Sequence, residues 1–107
     1  MAGKYNIKLK QGCSKILFFR SKSGFDLSTY TSKCQFRTSY NGDVVLELNE
    51  SAGLQTQSDG IWLTIEDYQT KNMSGGGVYD LMVTNGARTY CIVEGDWSVE
   101  PAVTKNV

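Results

Sequence analysis

Three cysteines and eleven carboxylates are the side chains of this 107-residue chain with the most chemistry to offer. Histidine is absent. Its absence removes an imidazole general base, any Ser-His-Asp or Cys-His arrangement and every histidine-containing metal site. Cys13, Cys34 and Cys91 contain no close CxxC pair, and an odd number cannot close into an all-paired disulfide framework. They read as free thiols, serving as small buried hydrophobes or surface residues. Cys13 lies between Lys10 and Lys15, the kind of cation that lowers a thiol pKa, but proximity in sequence does not make a nucleophile. The carboxylates fall on the polar side of alternating runs, beside turns or in one short helical stretch, where solvation rather than acid–base work is the default. Gly75-Gly76-Gly77 matches no phosphate-cradling motif and precedes a strand pattern, so it reads as a flexible loop. These residues point to a non-enzymatic protein with no cofactor and no metal.

The elements that must position these side chains follow from a period of two. Tyr5, Ile7 and Leu9 alternate with polar residues, as do Cys34 and Phe36, then Val44, Leu46 and Leu48. Ile61, Leu63 and Ile65 form another run, then Tyr79, Leu81 and Val83, and finally Cys91, Val93, Trp97 and Val99. Turn signals separate them at Ser23-Gly24, Asn41-Gly42, Asp59-Gly60, Gly75-Gly76-Gly77 and Asn85-Gly86. One short helix is expected over Glu66 to Asn72. The pattern predicts an all-β chain: one antiparallel β-sandwich domain over residues 1–107, of about seven strands with one short helical turn.

Side-chain parity refines the two Asn-Gly hairpins, because a one-residue slip moves every side chain to the other face. Three-residue loops with a bulge at Gly (Tyr40-Asn41-Gly42 and Thr84-Asn85-Gly86) oppose Phe36 to Leu46, Cys34 to Leu48, Leu81 to Thr89 and Tyr79 to Cys91. Cys34, Cys91 and Trp97 then point inward. Trp62 points away from the core, and Tyr90 and Ile92 lie on the outer face beside Met82. Trp62, Met82, Tyr90 and Ile92 are the candidate partner-binding residues, since exposed aromatics are enriched at interfaces.

The zero net charge conceals a split. Residues 1–40 carry eight basic side chains against Asp26 alone, a balance of +7, and residues 41–107 carry −7. The basic residues are spread over three candidate strands beside an equally acidic remainder, which argues against nucleic acid. A polarised body that docks on copies or neighbours is expected instead. The N-terminus shows no signal-peptide pattern, and the longest apolar run, Ile16 to Phe19, is far short of a membrane span, so a cytoplasmically made protein with no membrane partner is expected.

Several motifs also occur in a fixed order: Lys10-Gln11-Gly12-Cys13-Ser14, Phe18-Phe19, Asp26-Leu27-Ser28-Thr29-Tyr30-Thr31, Cys34-Gln35-Phe36-Arg37, Val45-Leu46-Glu47-Leu48 and Val78-Tyr79-Asp80-Leu81. The chain closes on Glu94-Gly95-Asp96-Trp97-Ser98-Val99-Glu100-Pro101-Ala102-Val103-Thr104. This order resembles small immunoglobulin-like proteins of tailed bacteriophages, similar to the N-terminal domain of baseplate upper proteins. Cys13 departs from the acidic residue usual there, and Thr29 from a turn glycine. The resemblance implies an immunoglobulin-like fold and a virion structural protein, synthesised in the host cytoplasm. Its place would be the tail, neck or baseplate, where it helps attach or organise fibres. Capsid decoration is the alternative, and a carbohydrate- or receptor-binding module using Trp62 a third reading. The implied partners are other virion proteins (tail, fibre or capsid) and copies of the chain itself.

Overall fold

The computed structural model describes residues 3–22 and 25–104. The turn signal at Ser23-Gly24 lies outside them, as does the end of the C-terminal tail. Strands run in the order β1 (Gly3–Lys4), β2 (Ile7–Lys10), β3 (Lys15–Arg20), β4 (Thr31–Arg37), β5 (Val44–Asn49), β6 (Leu54–Gln57) and β7 (Gly60–Ile65). After helix α1 (Asp67–Thr70) come β8 (Gly76–Thr84) and β9 (Thr89–Glu100). One sheet has the order β1-β9-β8-β4-β5, with β2 also on β9, and the other is β3-β7-β6. The two sheets form a sandwich.

Alternation is what lets each strand serve one core. In β2, Ile7 and Leu9 are buried while Lys8 and Lys10 are exposed. β4 buries Ser32, Cys34 and Phe36, and β7 buries Ile61, Leu63 and Ile65. Each large apolar side chain among them contributes about 1.5–3 kcal/mol relative to exposure. The centre is aromatic: Phe36 stacks on Tyr79 with centroids 5.4 Å apart, and Trp97 meets Phe36 edge-on. Trp97 is inward as expected, and its Nε1 donates to the Arg37 carbonyl at 2.9 Å. Burial alone would leave that indole N–H costly.

Several features depart from the sequence expectations. The sandwich is not wholly antiparallel, because β1 and β2 run parallel to β9 (Gly3↔Val93, Ile7↔Trp97, Lys10↔Glu100). The chain steps between them at Tyr5-Asn6, over Gly95. Phe36↔Leu46 and Cys34↔Leu48 pair as expected, but the turn is longer. Arg37 faces Val44, the shift falls between Phe36 and Arg37, and Gly42 is not left-handed. The second hairpin closes through four residues, with Thr84 facing Thr89 and Asn85 Oδ1 accepting from the Ala87 and Arg88 amides. A bulge next to Leu81/Met82 then sets Leu81 against Val93 and Tyr79 against Gly95. Cys91 therefore faces Met82 and is half-buried rather than inward.

The triple glycine is not a loop either. Gly76 and Gly77 begin β8, opposite Ser98 and Trp97. A Cβ at Gly77 would overlap the Arg37 carbonyl oxygen. Glycine is present there for close strand approach.

The charge halves do not separate onto two faces. Parallel pairing lays the basic N-terminal strands along the acidic last strand, giving Lys4–Glu94 at 3.1 Å and Lys10–Glu100 at 2.9 Å. Arg20 similarly approaches Asp59 at 3.8 Å. These pairs bring opposite signs together along the larger sheet and at the β7 turn, so the split is not one of face against face.

Candidate functional site

Two sheet faces look outward, and they differ in chemistry. The outer face of the larger sheet holds a shallow groove of about 440 Å³ lined by β4, β8 and β9. Its polar groups are partly bonded to one another, though Lys4–Glu94 is the one ion pair among its described residues. The Arg37 guanidinium donates to Gln35 Oε1 and to the Gly42 carbonyl, Gln35 Nε2 donates to Glu47 Oε1 at 2.7 Å, and Lys4 holds Glu94. Asp80 lies directly across from Glu94. Burial first, then the Glu94 charge, hold the Asp80 carboxyl above its ordinary pKa, with Arg37 opposing. Burial, then Asp80 and Glu94, likewise raise the Cys91 thiol, and burial keeps the Cys34 thiol protonated. A thiol raised in this way is a poor nucleophile. Cys13 is exposed, and all three cysteines are free.

The outer face of the smaller sheet is built otherwise. Since Ile61, Leu63 and Ile65 point inward, their neighbours Trp62 and Thr64 point out, and the register brings Phe18 opposite Trp62 and Ile16 opposite Thr64. Ile16 is 61% exposed and Trp62 41%. The Phe18 and Trp62 rings lie 4.8 Å apart, and the Arg20 guanidinium sits over Phe18 at 5.6 Å. Gln55, opposite Trp62, adds a polar margin on β6. An apolar centre with a polar and cationic rim is the anatomy of a protein-binding surface.

The four residues singled out from the sequence are not brought together. Trp62 is on the smaller sheet. Met82 is on the outer face of the larger one, 38% exposed, beside Cys91 rather than beside Tyr90 and Ile92. The β9 bulge puts Tyr90 opposite Val83 on the core side, at the end of the sheet. There its ring meets Phe25 at 5.3 Å and Tyr30 at 6.1 Å. Ile92 is half-buried and packs on the core. Ile16, Phe18 and Arg20, the neighbours that make Trp62 part of a surface, were missed. The signal for them was Lys15–Arg20, a run apolar at four successive positions between two cations. Its continuity hid which residues pointed out.

No protein-family model matches the chain, and no curated protein matches it. Solved structures do resemble it. A structure of VGSC beta subunits, described in connection with multimeric cell-adhesive interactions, is 14% identical over 91% of this chain and 92% of that one, with a TM-score of 0.56. The extracellular domain of the voltage-gated sodium channel beta4 subunit is 13% identical over 96% of each chain, with a TM-score of 0.53. Tim-2 is 14% identical over 99% of this chain and 100% of that chain, with a TM-score of 0.51. At such identities the likeness is one of fold: the protein is an immunoglobulin-like β-sandwich.

Proposed function

We propose that the protein is a non-enzymatic structural component of a bacteriophage virion. It belongs to the tail, neck or baseplate, where it helps attach or organise fibres through protein–protein contacts. The observation that carries the contact role is the Ile16–Phe18–Trp62 surface, a solvent-facing apolar patch on the smaller sheet. The virion assignment is supported by the ordered motifs from Lys10-Gln11-Gly12 to the closing Glu94–Thr104 segment. The groove on the other sheet is polar and charged at its centre, without the apolar core that this patch has.

The test is protein detection in purified particles, followed by negative-stain imaging with a C-terminal label. Label at the tail or neck supports the reading. Label over the shell replaces it with capsid decoration, and absence from the particle overturns it. Trp62→Ala should fold normally yet reduce incorporation, since a central aromatic anchor contributes on the order of 2 kcal/mol or more to a protein interface. A glycan array separates out the carbohydrate reading, in which Trp62-dependent binding would appear. Trp62 already packs one side of its ring on Phe18, which leaves less of a free stacking platform.

A further inference from the structure

The two edges of the sandwich carry opposite charge, although its faces do not. Because β1 and β2 both join β9 in the larger sheet, β3 is left as a terminal strand of the smaller one. It pairs with β7 on one side, and among the described residues 15–20 make no backbone hydrogen bond to any other element. The Tyr5 ring meets the Phe19 ring at 5.9 Å. The edge is basic, with Lys15 and Arg20 at its ends and Lys22 just beyond; Asp59 approaches Arg20 at 3.8 Å, a long contact between exposed side chains. On the opposite side of the molecule β5 is the terminal strand of the larger sheet, paired among the described strands with β4 alone; Asn49 at its end exchanges backbone hydrogen bonds with Ala52, so the open stretch is Val44 to Leu48. It carries Glu47, is flanked by Asp43 and Glu50, and exposes Val44 and Val45.

We propose that copies of this chain associate head to tail, the β3 edge of one copy adding antiparallel to the β5 edge of the next. An unpaired strand edge is a template for such addition. One register satisfies parity and charge together. Setting Leu17 opposite Leu48 and Phe19 opposite Leu46 keeps core-side residues on one side. It then places Lys15 opposite Glu50, Arg20 diagonal to Glu47, and Lys22 near Asp43. Pairing β3 with its own copy about a two-fold axis is opposed by charge: it would gather Lys15, Arg20 and Lys22 from both chains along one seam. A heterologous contact of this kind does not close at two copies unless geometry makes a ring. The inference is independent of the virion reading; Arg20 also borders the Trp62 patch, whereas Glu47 lies on the other sheet, so loss of association in Glu47→Arg belongs to the edge contact alone.

Sedimentation velocity of the intact protein over a concentration series, at low and high salt, reads the association directly. Species larger than dimers should accumulate at low salt and shrink as salt screens the edges. Arg20→Glu and Glu47→Arg, each folded by circular dichroism, should separately abolish association, since each now opposes like charges. Mixed in equal amounts they should recover it. The acid introduced on the β3 edge of one variant then faces the base introduced on the β5 edge of the other, and the unaltered Arg20 and Glu47 meet at the next contact. A wild type that stays monomeric throughout overturns the proposal. So does a salt-insensitive dimer, or a pair of variants that fails to recover on mixing.

Discussion

Gly95→Ala should unseat the N-terminal strands, and its cost can be worked from local geometry. A Cβ on Gly95 would overlap the Tyr5 carbonyl oxygen and stand 2.9 Å from the carbon of that carbonyl and 3.1 Å from Asn6 Oδ1. The obstacle is backbone, so the crossing at Tyr5-Asn6 has to lift. Besides the Tyr5 amide bond to the Glu94 carbonyl at 3.0 Å, two side-chain hydrogen bonds hold that crossing: Tyr79 Oη donates to the Tyr5 carbonyl at 2.6 Å, and Asn6 Oδ1 accepts from the Asp96 amide at 3.1 Å. Losing both costs about 1–3 kcal/mol. Downstream, Ile7 and Leu9 are 1% and 3% exposed, and freeing both would cost about 3–6 kcal/mol more. Partial lifting sets the expected loss at about 2–4 kcal/mol, or a fall in Tm on the order of 10 °C or more. Urea unfolding measures the loss. Hydrogen exchange at residues 7–10 should locate it, with protection falling there before it falls in β4 or β7. Gly3→Ala is the control, since its Cβ would meet only Ile92 O at 3.7 Å. A Gly95→Ala protein within about 0.5 kcal/mol of wild type, on the scale of an ordinary surface substitution, would refute the close crossing.

Three further outcomes concern polar groups in and beside the core. Asp80→Asn should raise Tm at neutral pH: the folded-state pKa of Asp80 is raised, so its ionisation opposes folding above that value, and the gain should vanish at acidic pH, where the carboxyl is neutral in both states. Glu50 behaves oppositely. Burial raises its pKa, but bonds from the Ser32 amide and hydroxyl and the Thr56 hydroxyl outweigh it and hold the carboxyl below its ordinary value. Its contribution is full above the unfolded value and is lost as pH falls through the folded one. Glu50→Gln should cost about 1 kcal/mol at pH 7, a figure discounted for solvent exposure, and the difference should narrow in acid thermal melts. Trp97→Phe removes the Nε1 donor to Arg37 O and shrinks a core ring, for a loss of about 2–3 kcal/mol in urea unfolding.

How far the fold was legible can be seen along β4 and β9. In β4, strict alternation identified Cys34 and Phe36 as inward and matched them to Leu48 and Leu46, because parity is a property of the chain itself. In β9 the same rule put Trp97 correctly inside, yet misplaced Cys91, Tyr90 and Ile92. A bulge inserts one residue and reverses parity on one side of itself, and it is set by how the strand must meet β8. The outer patch was half legible: Trp62 stood out by its alternation with Ile61 and Leu63, while Ile16 and Phe18 sat in an unbroken apolar run that carries no parity.

By itself the sequence determined that the chain is built of half-buried strands around one core, and that imidazole chemistry is impossible for it. Both are local or compositional facts. Tertiary structure decided what depends on partners distant in sequence. Parallel addition of β1 and β2 to β9 brings cation and carboxylate together and neutralises the faces. That same choice of sheet leaves β3 an open, basic edge and makes Gly95 necessary where Tyr5 crosses it, while the approach of β4 to β8 requires Gly77. None of these could be read from spacing, because each is a contact between segments whose neighbourhood exists only in the folded chain.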